Sequence, residues 1–398
     1  MIGRRAREVA IPRLLHIGQG CLDDLAPLLA AHDLDVDRVL VASGPGPSGA
    51  FARVVVSGLR ARGVGVVHRS GLTGRLDQAA TLAATLIEDG VTTAIGVGGG
   101  RVIDTVKLAA ARTCVDFVSV PTTISNDGIS SPVASLTGRD GVRASHAAAM
   151  PAGVVVDVDT IAAAPAQAIR AGAGDLLSNL TACLDWRLAD AAGHDHHDAY
   201  AAMIAESAAR PVLQLDGLDA PAGRRVLAEG LLLSGLAMAA AGTSRPCSGG
   251  EHLISHALDA RLGPAAALHG EQVALGCLIT AAAHGTPLLA TLHEAYARLG
   301  LPRAPEDVGL RRADLVAAVR AAPAVRPDRH TVLTGRVDGP RAARELVEAA
   351  CGPDHSRCRA TPPTTSATPA TSVADGTCVS TRMPMTVAVA GSKDTINA

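Results

Sequence analysis

The sequence predicts an α/β amino-terminal domain with a parallel sheet, followed by an all-α carboxy-terminal domain. Short apolar runs alternate with helical segments of about 10–15 residues through the first 157 positions, the pattern of strands joined by crossover helices. From Thr160 onward strand patterns vanish, and Ala/Leu-rich helical segments take over. The chain has 398 residues, 48% hydrophobic and 19% charged, enough apolar material for two cores of ordinary size.

The elements follow in order. Residues 38–44 (RVLVASG) read as a strand ending in a turn, 50–62 as a helix, and 63–68 (GVGVVH) as a second strand. Residues 76–89 carry Ala79, Leu82, Ala83 and Leu86 at helical spacing. A third strand, 93–97, runs straight into Gly98-Gly99-Gly100. A helix over 102–112 and a fourth strand, 117–121, follow, with Val154-Val155-Val156 strand-like beyond. Helical connections cover both faces of such a sheet. The later helices are expected at 161–170, 172–191, 198–209, 223–241, 249–261, 269–283, 288–299 and 312–321. Residues 352–398, rich in Pro, Thr, Ser and Ala, cannot bury enough apolar surface to offset chain entropy and read as a disordered tail.

Composition narrows the function. A formal net charge of −2 gives no basic surface for nucleic acid. The aromatic residues are Phe51, Phe117, Trp186, Tyr200 and Tyr296, too few for a base-stacking platform. The 8 cysteines form no CxxC pair, as expected of thiols in a reducing cytoplasm. Residues 1–18 lack the apolar run of a signal peptide, and no stretch approaches the roughly 18 apolar residues of a membrane helix. A cytoplasmic enzyme without membrane or nucleic-acid partners is the expectation. The Ala, Arg and Gly bias is that of GC-rich coding, and of the 36 basic residues only Lys107 and Lys393 are lysines. Lys107, a helical turn beyond Asp104, therefore stands out as a position needing a compact ammonium rather than a guanidinium.

Three constellations carry chemistry. In the first, GVGGGRVIDTVK (96–107), a strand ends, three glycines let backbone approach a ligand, and a helix begins with free N–H groups suited to pyrophosphate. The motif lacks the GxGxxG spacing, and a tightly packed turn explains it equally well. In the second, VPTTISNDGISSP (120–132), hydroxyls and one carboxylate follow the fourth strand, where open α/β sheets bind ligands. The third joins Asp175, in an apolar helical setting that is costly for an unpaired carboxylate, to His252, His256 and His269. Two histidines and a carboxylate on separate elements suit a three-ligand metal site with an open position. Spacing alone leaves His252 and His256, one helical turn apart, equivalent. His16, His32, His68 and His284 read as packed or surface residues, and His194, His196 and His197 as a solvated turn.

With these stretches in view, the chain resembles the sn-glycerol-1-phosphate dehydrogenase family, of the wider dehydroquinate synthase-like and metal-dependent polyol dehydrogenase group. The matching blocks are GVGGGRVIDTVK (96–107), SVPTTISNDGISSPVASL (119–136), AGAGDLLSNLTACLDWRLA (171–189), SRPCSGGEHLISHALD (244–259), ALHGEQVALG (267–276) and VRPDRHTVL (325–333). They span most of residues 35–335. The chain departs from the family at Asn126, where members often carry His, in a shorter segment after Gly276, and in the tail.

The resemblance implies a dehydroquinate synthase-like fold. Residues 1–159 are then a Rossmann-like dinucleotide-binding domain, 160–351 a metal- and substrate-binding helical domain, and 352–398 the tail. It implies NAD or NADP contacts at Gly98, Gly99, Gly100, Arg101 and Val102, at Thr122, Thr123, Ile124 and Ser125, and at Ser131. It implies one divalent metal, usually zinc, held by Asp175, His252 and His269. Asp127 and His256 then serve substrate and catalysis, with Asp175 at the same site. The implied reaction is reversible reduction of dihydroxyacetone phosphate to sn-glycerol 1-phosphate. A related polyol or aminocyclitol dehydrogenase and a sugar-phosphate cyclase are the alternatives. Arg245, just ahead of the His252 helix, is the expected phosphate-binding cation, and a small phosphorylated polyol or ketone the expected partner, with a homo-oligomer compatible. The turn Ser43-Gly44-Pro45-Gly46-Pro47 has no carboxylate to repel an NADP phosphate. Deleting the tail is expected to leave soluble yield and turnover near those of the full chain, checked by expression and steady-state assay.

Overall fold

The computed structural model describes residues 9–353. The expected disordered tail lies outside them except for Gly352 and Pro353. Arg312 Nη1 donates to the Gly352 carbonyl at 2.8 Å. That part of the tail belongs to the fold, and a truncation is cut after Pro353.

Among the described residues, eight strands and thirteen α-helices follow one another. In the first half they are β1 (Leu14–Gly18), α1 (Leu25–Ala30), β2 (Arg38–Ser43), α2 (Ser48–Ala61), β3 (Gly65–Arg69), α3 (Leu76–Glu88), β4 (Thr93–Gly98), α4 (Gly100–Thr113) and β5 (Asp116–Pro121). Then come β6 (Val133–Thr137), β7 (Arg143–Ala147), β8 (Gly153–Asp157) and α5 (Val158–Ala162). The helical half comprises α6 (Ala166–Ala191), α7 (Ala199–Ala209), α8 (Pro221–Ala241), α9 (Gly250–Leu262), α10 (His269–His284), α11 (Leu288–Leu299), α12 (Arg312–Val325) and α13 (Pro340–Cys351). Among the described residues, no helix is long and apolar enough to cross a membrane.

Six strands form one parallel sheet in the order β1-β8-β5-β4-β2-β3. The chain moves from β2 outward to β3, then returns to place β4 on β2's other side. The strand order reverses there, and the crevice beyond the carboxyl ends of β2 and β4 is where such sheets bind ligands. Ser43 pairs with Val97 at that point, and Gly98 with Pro121, so the two loops singled out in the sequence leave adjacent strands. One apolar cluster fills the face under α1 and α2, and a second fills the face under α3 and α4.

The differences from expectation have local causes. β1 was missed because only Leu14 of its five residues is buried; it is an edge strand held by β8. The antiparallel β6–β7 pair was missed because VASLT and RASHA are small and polar, with β7 largely exposed. The helix expected to break at residue 171 is continuous as α6. It buries nearly every residue from Ala171 to Cys183, and its small residues let neighbours approach on all sides. α13 shows Ala343, Val347 and Ala350 at helical spacing behind Pro340, an N-terminal signal that went unread.

Lys107 is turned neither to solvent nor to the glycine loop. Its side chain is fully buried; Nζ donates to Asp104 Oδ1 at 3.1 Å and to the carbonyls of Gly128 and Val133 at 2.7 Å each. Asp104 Oδ2 in turn accepts from the Ser135 amide at 3.1 Å. This pair ties α4 to the 126–131 loop and to β6. Lys107→Met strands the Asp104 charge and is expected to cost about 3 kcal/mol in urea denaturation. Lys107→Arg also lowers stability, because the planar head cannot occupy a pocket sized for an ammonium.

Candidate metal and substrate site

The site starts from close backbone contacts. A Cβ on Gly172 would overlap the Ile124 carbonyl oxygen, and one on Gly270 would overlap the Ala171 carbonyl. Only glycine lets α6 touch both the loop after β5 and the start of α10. Asp175 thereby comes beside the Asp127 backbone, whose N–H donates to Asp175 Oδ2 at 2.9 Å.

Asp175 Oδ1 is the focus. It is buried and, among the described residues, has no hydrogen-bond partner. His252 Nε2 stands 3.6 Å from it and His269 Nε2 3.5 Å. One donor atom from each of the three residues lies within 4.8 Å of the others. The remaining ring nitrogens are occupied. His252 Nδ1 is 3.1 Å from Glu251 Oε1, and His269 Nδ1 is 3.0 Å from Ser255 Oγ. Both Nε2 atoms are thus left for a shared partner, the arrangement that orients histidines at metal centres. An orphaned buried carboxylate oxygen between two oriented imidazoles fits a divalent cation.

The supporting residues were not found by sequence reasoning. Glu251 is fully buried. Oε1 accepts from the Gly249 amide, and Oε2 accepts from Thr181 Oγ1 at 3.0 Å. Asp185 Oδ2 accepts from the Gly250 amide at 2.7 Å. Its Oδ1 accepts from the Val332 amide at 2.8 Å and lies 2.9 Å from His284 Nε2. Asp185 thereby holds the start of α9, and His284 is a packed residue as expected. The only signal in the sequence was an acidic residue inside an apolar helix, which names no partner.

A cavity of about 310 Å³ opens beside the triad, with Asp127, His256, Arg143 and Arg326 in its walls. Burial lifts the Asp127 carboxyl to about 7, with the charge of Asp175 adding to it and His252 and Lys107 opposing. Burial, then His269, His252 and the two arginines, push His256 down to about 3, so its ring is neutral at ordinary pH. Burial works against a charge on His252, yet the carboxylates of Asp175 and Glu251 raise it to about 10. Burial lowers His269 to about 4 against the pull of Asp175. The protein alone thus draws a proton to this spot, as expected where carboxylates face one buried point.

The dinucleotide residues sort by exposure. Val102 and Ile124 are buried in the cores and can offer only backbone; Thr122, also buried, donates its N–H to Gly98 at 3.0 Å. Arg101, Thr123 and Ser125 keep accessible side chains, whereas Ser131 is buried in the cavity wall. A Cβ on Gly98 would press on three atoms of Val102, so tight packing favours glycine there, whereas one on Gly99 would meet only the Thr123 hydroxyl at 2.9 Å, which can rotate away.

Arg245 does not reach the cavity. Its Nε pairs with Asp195 at 2.5 Å and Nη1 donates to the His330 carbonyl at 2.9 Å. The His194–His197 turn is partly structural: the ring of His197 packs edge-on against Trp186, centroids 5.1 Å apart, while His196 is exposed.

Comparison with known proteins supplies the family. The family model described as iron-containing alcohol dehydrogenase matches residues 16–165. The glycerol-1-phosphate dehydrogenase [NAD(P)+] of Staphylothermus marinus is 36% identical over 351 residues, covering 87% of this chain and 98% of the relative. That of Cenarchaeum symbiosum is 38% identical, covering 82% and 92%. A probable glycerol dehydrogenase from Sinorhizobium meliloti superposes with a TM-score of 0.70 at 25% identity, over 87% of this chain and 98% of that one. Arg245→Ala is expected to lower the melting temperature, from about 1–3 kcal/mol of lost pairing, while changing KM for a phosphorylated ketone less than about twofold. Thermal denaturation beside steady-state kinetics checks both.

Proposed function

The chain belongs to the glycerol-1-phosphate dehydrogenase family, and on that premise we propose that it reduces dihydroxyacetone phosphate reversibly to sn-glycerol 1-phosphate with NADH or NADPH. The observation that carries the reading is the unpartnered, buried Oδ1 of Asp175 between the Nε2 atoms of His252 and His269. Asp175, His252 and His269 would hold one divalent metal, and a mixed nitrogen and oxygen set with an open position suits zinc. When bound, the ion supplies Lewis-acid polarisation of the ketone oxygen, and the nicotinamide supplies the hydride.

The chain's own residues do the rest. Asp127, its backbone fixed on Asp175, presents its carboxyl to a substrate hydroxyl. His256, one helical turn beyond His252 and neutral, holds a hydroxyl at its ring nitrogen or relays the alcohol proton. The loop at 98–102, Thr122 to Ser125 and Ser131 seat the dinucleotide at the strand-order reversal. Free cysteines among the described residues support a cytoplasmic setting.

An NADH and NADPH oxidation assay with dihydroxyacetone phosphate beside dihydroxyacetone, before and after chelation, tests the reaction. Phosphate-dependent oxidation abolished by chelator and restored by metal is the expected result. His269→Ala is expected to lose bound metal, measured by elemental analysis, together with at least about a hundredfold of activity, within the several kcal/mol attributed to such an ion. Full metal content in that variant and in His252→Ala and Asp175→Ala would overturn the ligand set.

A further inference from the structure

Resting on the reading that the substrate carries a phosphate, we propose that Arg143 and Arg326 form the subsite that binds it. The sequence pointed to Arg245, but that guanidinium is already paired with Asp195 and the His330 carbonyl. Arg329 is spent on the Ser248 carbonyl at 2.6 Å and Ser244 Oγ at 3.1 Å. Lys107 is buried on Asp104 and two carbonyls. The arginines in the cavity wall are Arg143, on β7, and Arg326, which ends α12.

Neither has a carboxylate partner among the described residues. Arg143 uses only Nε, donating to Ser135 Oγ at 2.8 Å, and keeps both terminal nitrogens for a ligand. Of the three acidic residues that line the cavity, Asp104 binds Lys107 and Asp259 accepts from Gln272 Nε2 at 2.9 Å, while Asp127, its backbone N–H held by Asp175, forms no ion pair with either arginine. Two uncompensated guanidinium groups facing one cavity repel each other, and an anion between them removes that cost. Their planar forks match phosphate oxygens. Both line the same cavity as His256, the residue assigned to substrate. Arg143 is exposed, so a phosphate there keeps part of its hydration while the carbonyl end lies toward the triad.

The test is the ratio of kcat/KM for dihydroxyacetone phosphate to that for dihydroxyacetone, in the metal-loaded full chain and in Arg143→Gln, Arg326→Gln and the double variant. Inhibition by inorganic phosphate is measured alongside. Each single change is expected to lower the ratio about tenfold or more, as for a lost hydrogen bond to a charged group, and to weaken phosphate inhibition in parallel. If Arg326→Gln fails to fold, Arg143→Gln on the exposed strand decides the matter. A wild-type ratio near unity would overturn the phosphorylated-substrate reading itself. A high wild-type ratio that both variants retain, or equal losses on the two ketones, would overturn only the subsite.

Discussion

Backbone contact at Gly172 and Gly270 is the constraint on which the site depends. Two helices and a loop meet there without side chains between them, so α6 lies against Ile124 and α10 against Ala171. That closeness brings Asp175 to His269 and to the Asp127 amide. A methyl group at either glycine must push backbone away, and the ligand atoms would separate with it. The packing of interiors makes such contacts stiff, which suits a site needing fixed geometry.

Two networks of buried charge flank the site. Lys107 and Asp104 neutralise each other and fasten the 126–131 loop to α4. On the far side Glu251 and Asp185 take up amides at the start of α9, and Glu251 orients His252. Each carboxylate is satisfied by hydrogen bonds. Asp175 Oδ1 is the exception among the buried carboxylate oxygens of the described residues, and such an orphan calls for a partner. The cavity beside it is also lined by Arg143 and Arg326, which have no carboxylate partner among the described residues, a chemistry different from that of the triad.

Much of the architecture was legible. The α2–β3–α3–β4–α4–β5 alternation and the helical second half were visible in periodicity, because buried parallel strands are continuous apolar runs bounded by turns. β1, β6 and β7 were not, since one buried residue in five, or a small polar strand, leaves no periodic trace. Only the family wording separated His252 from His256 in the sequence; in the structure both line the cavity, and it is Nε2 of His252 that stands 3.6 Å from Asp175 Oδ1.

The sequence by itself determined which residue types could do the chemistry: a carboxylate in an apolar helix, histidines on two others, glycines after a strand, and a lysine where arginine is the rule. Tertiary structure alone decided their partners. Arg245 looked like a free cation because a linear sequence shows charge but not what neutralises it, and Asp195 lies fifty positions away in the chain yet 2.5 Å away in space. Lys107 stood out as a position needing a compact ammonium, but only the fold supplies what it serves: Asp104 and the carbonyls of Gly128 and Val133. Identity follows from local chemistry, but availability depends on desolvation and pairing across the fold, and these exist only once the chain has closed on itself.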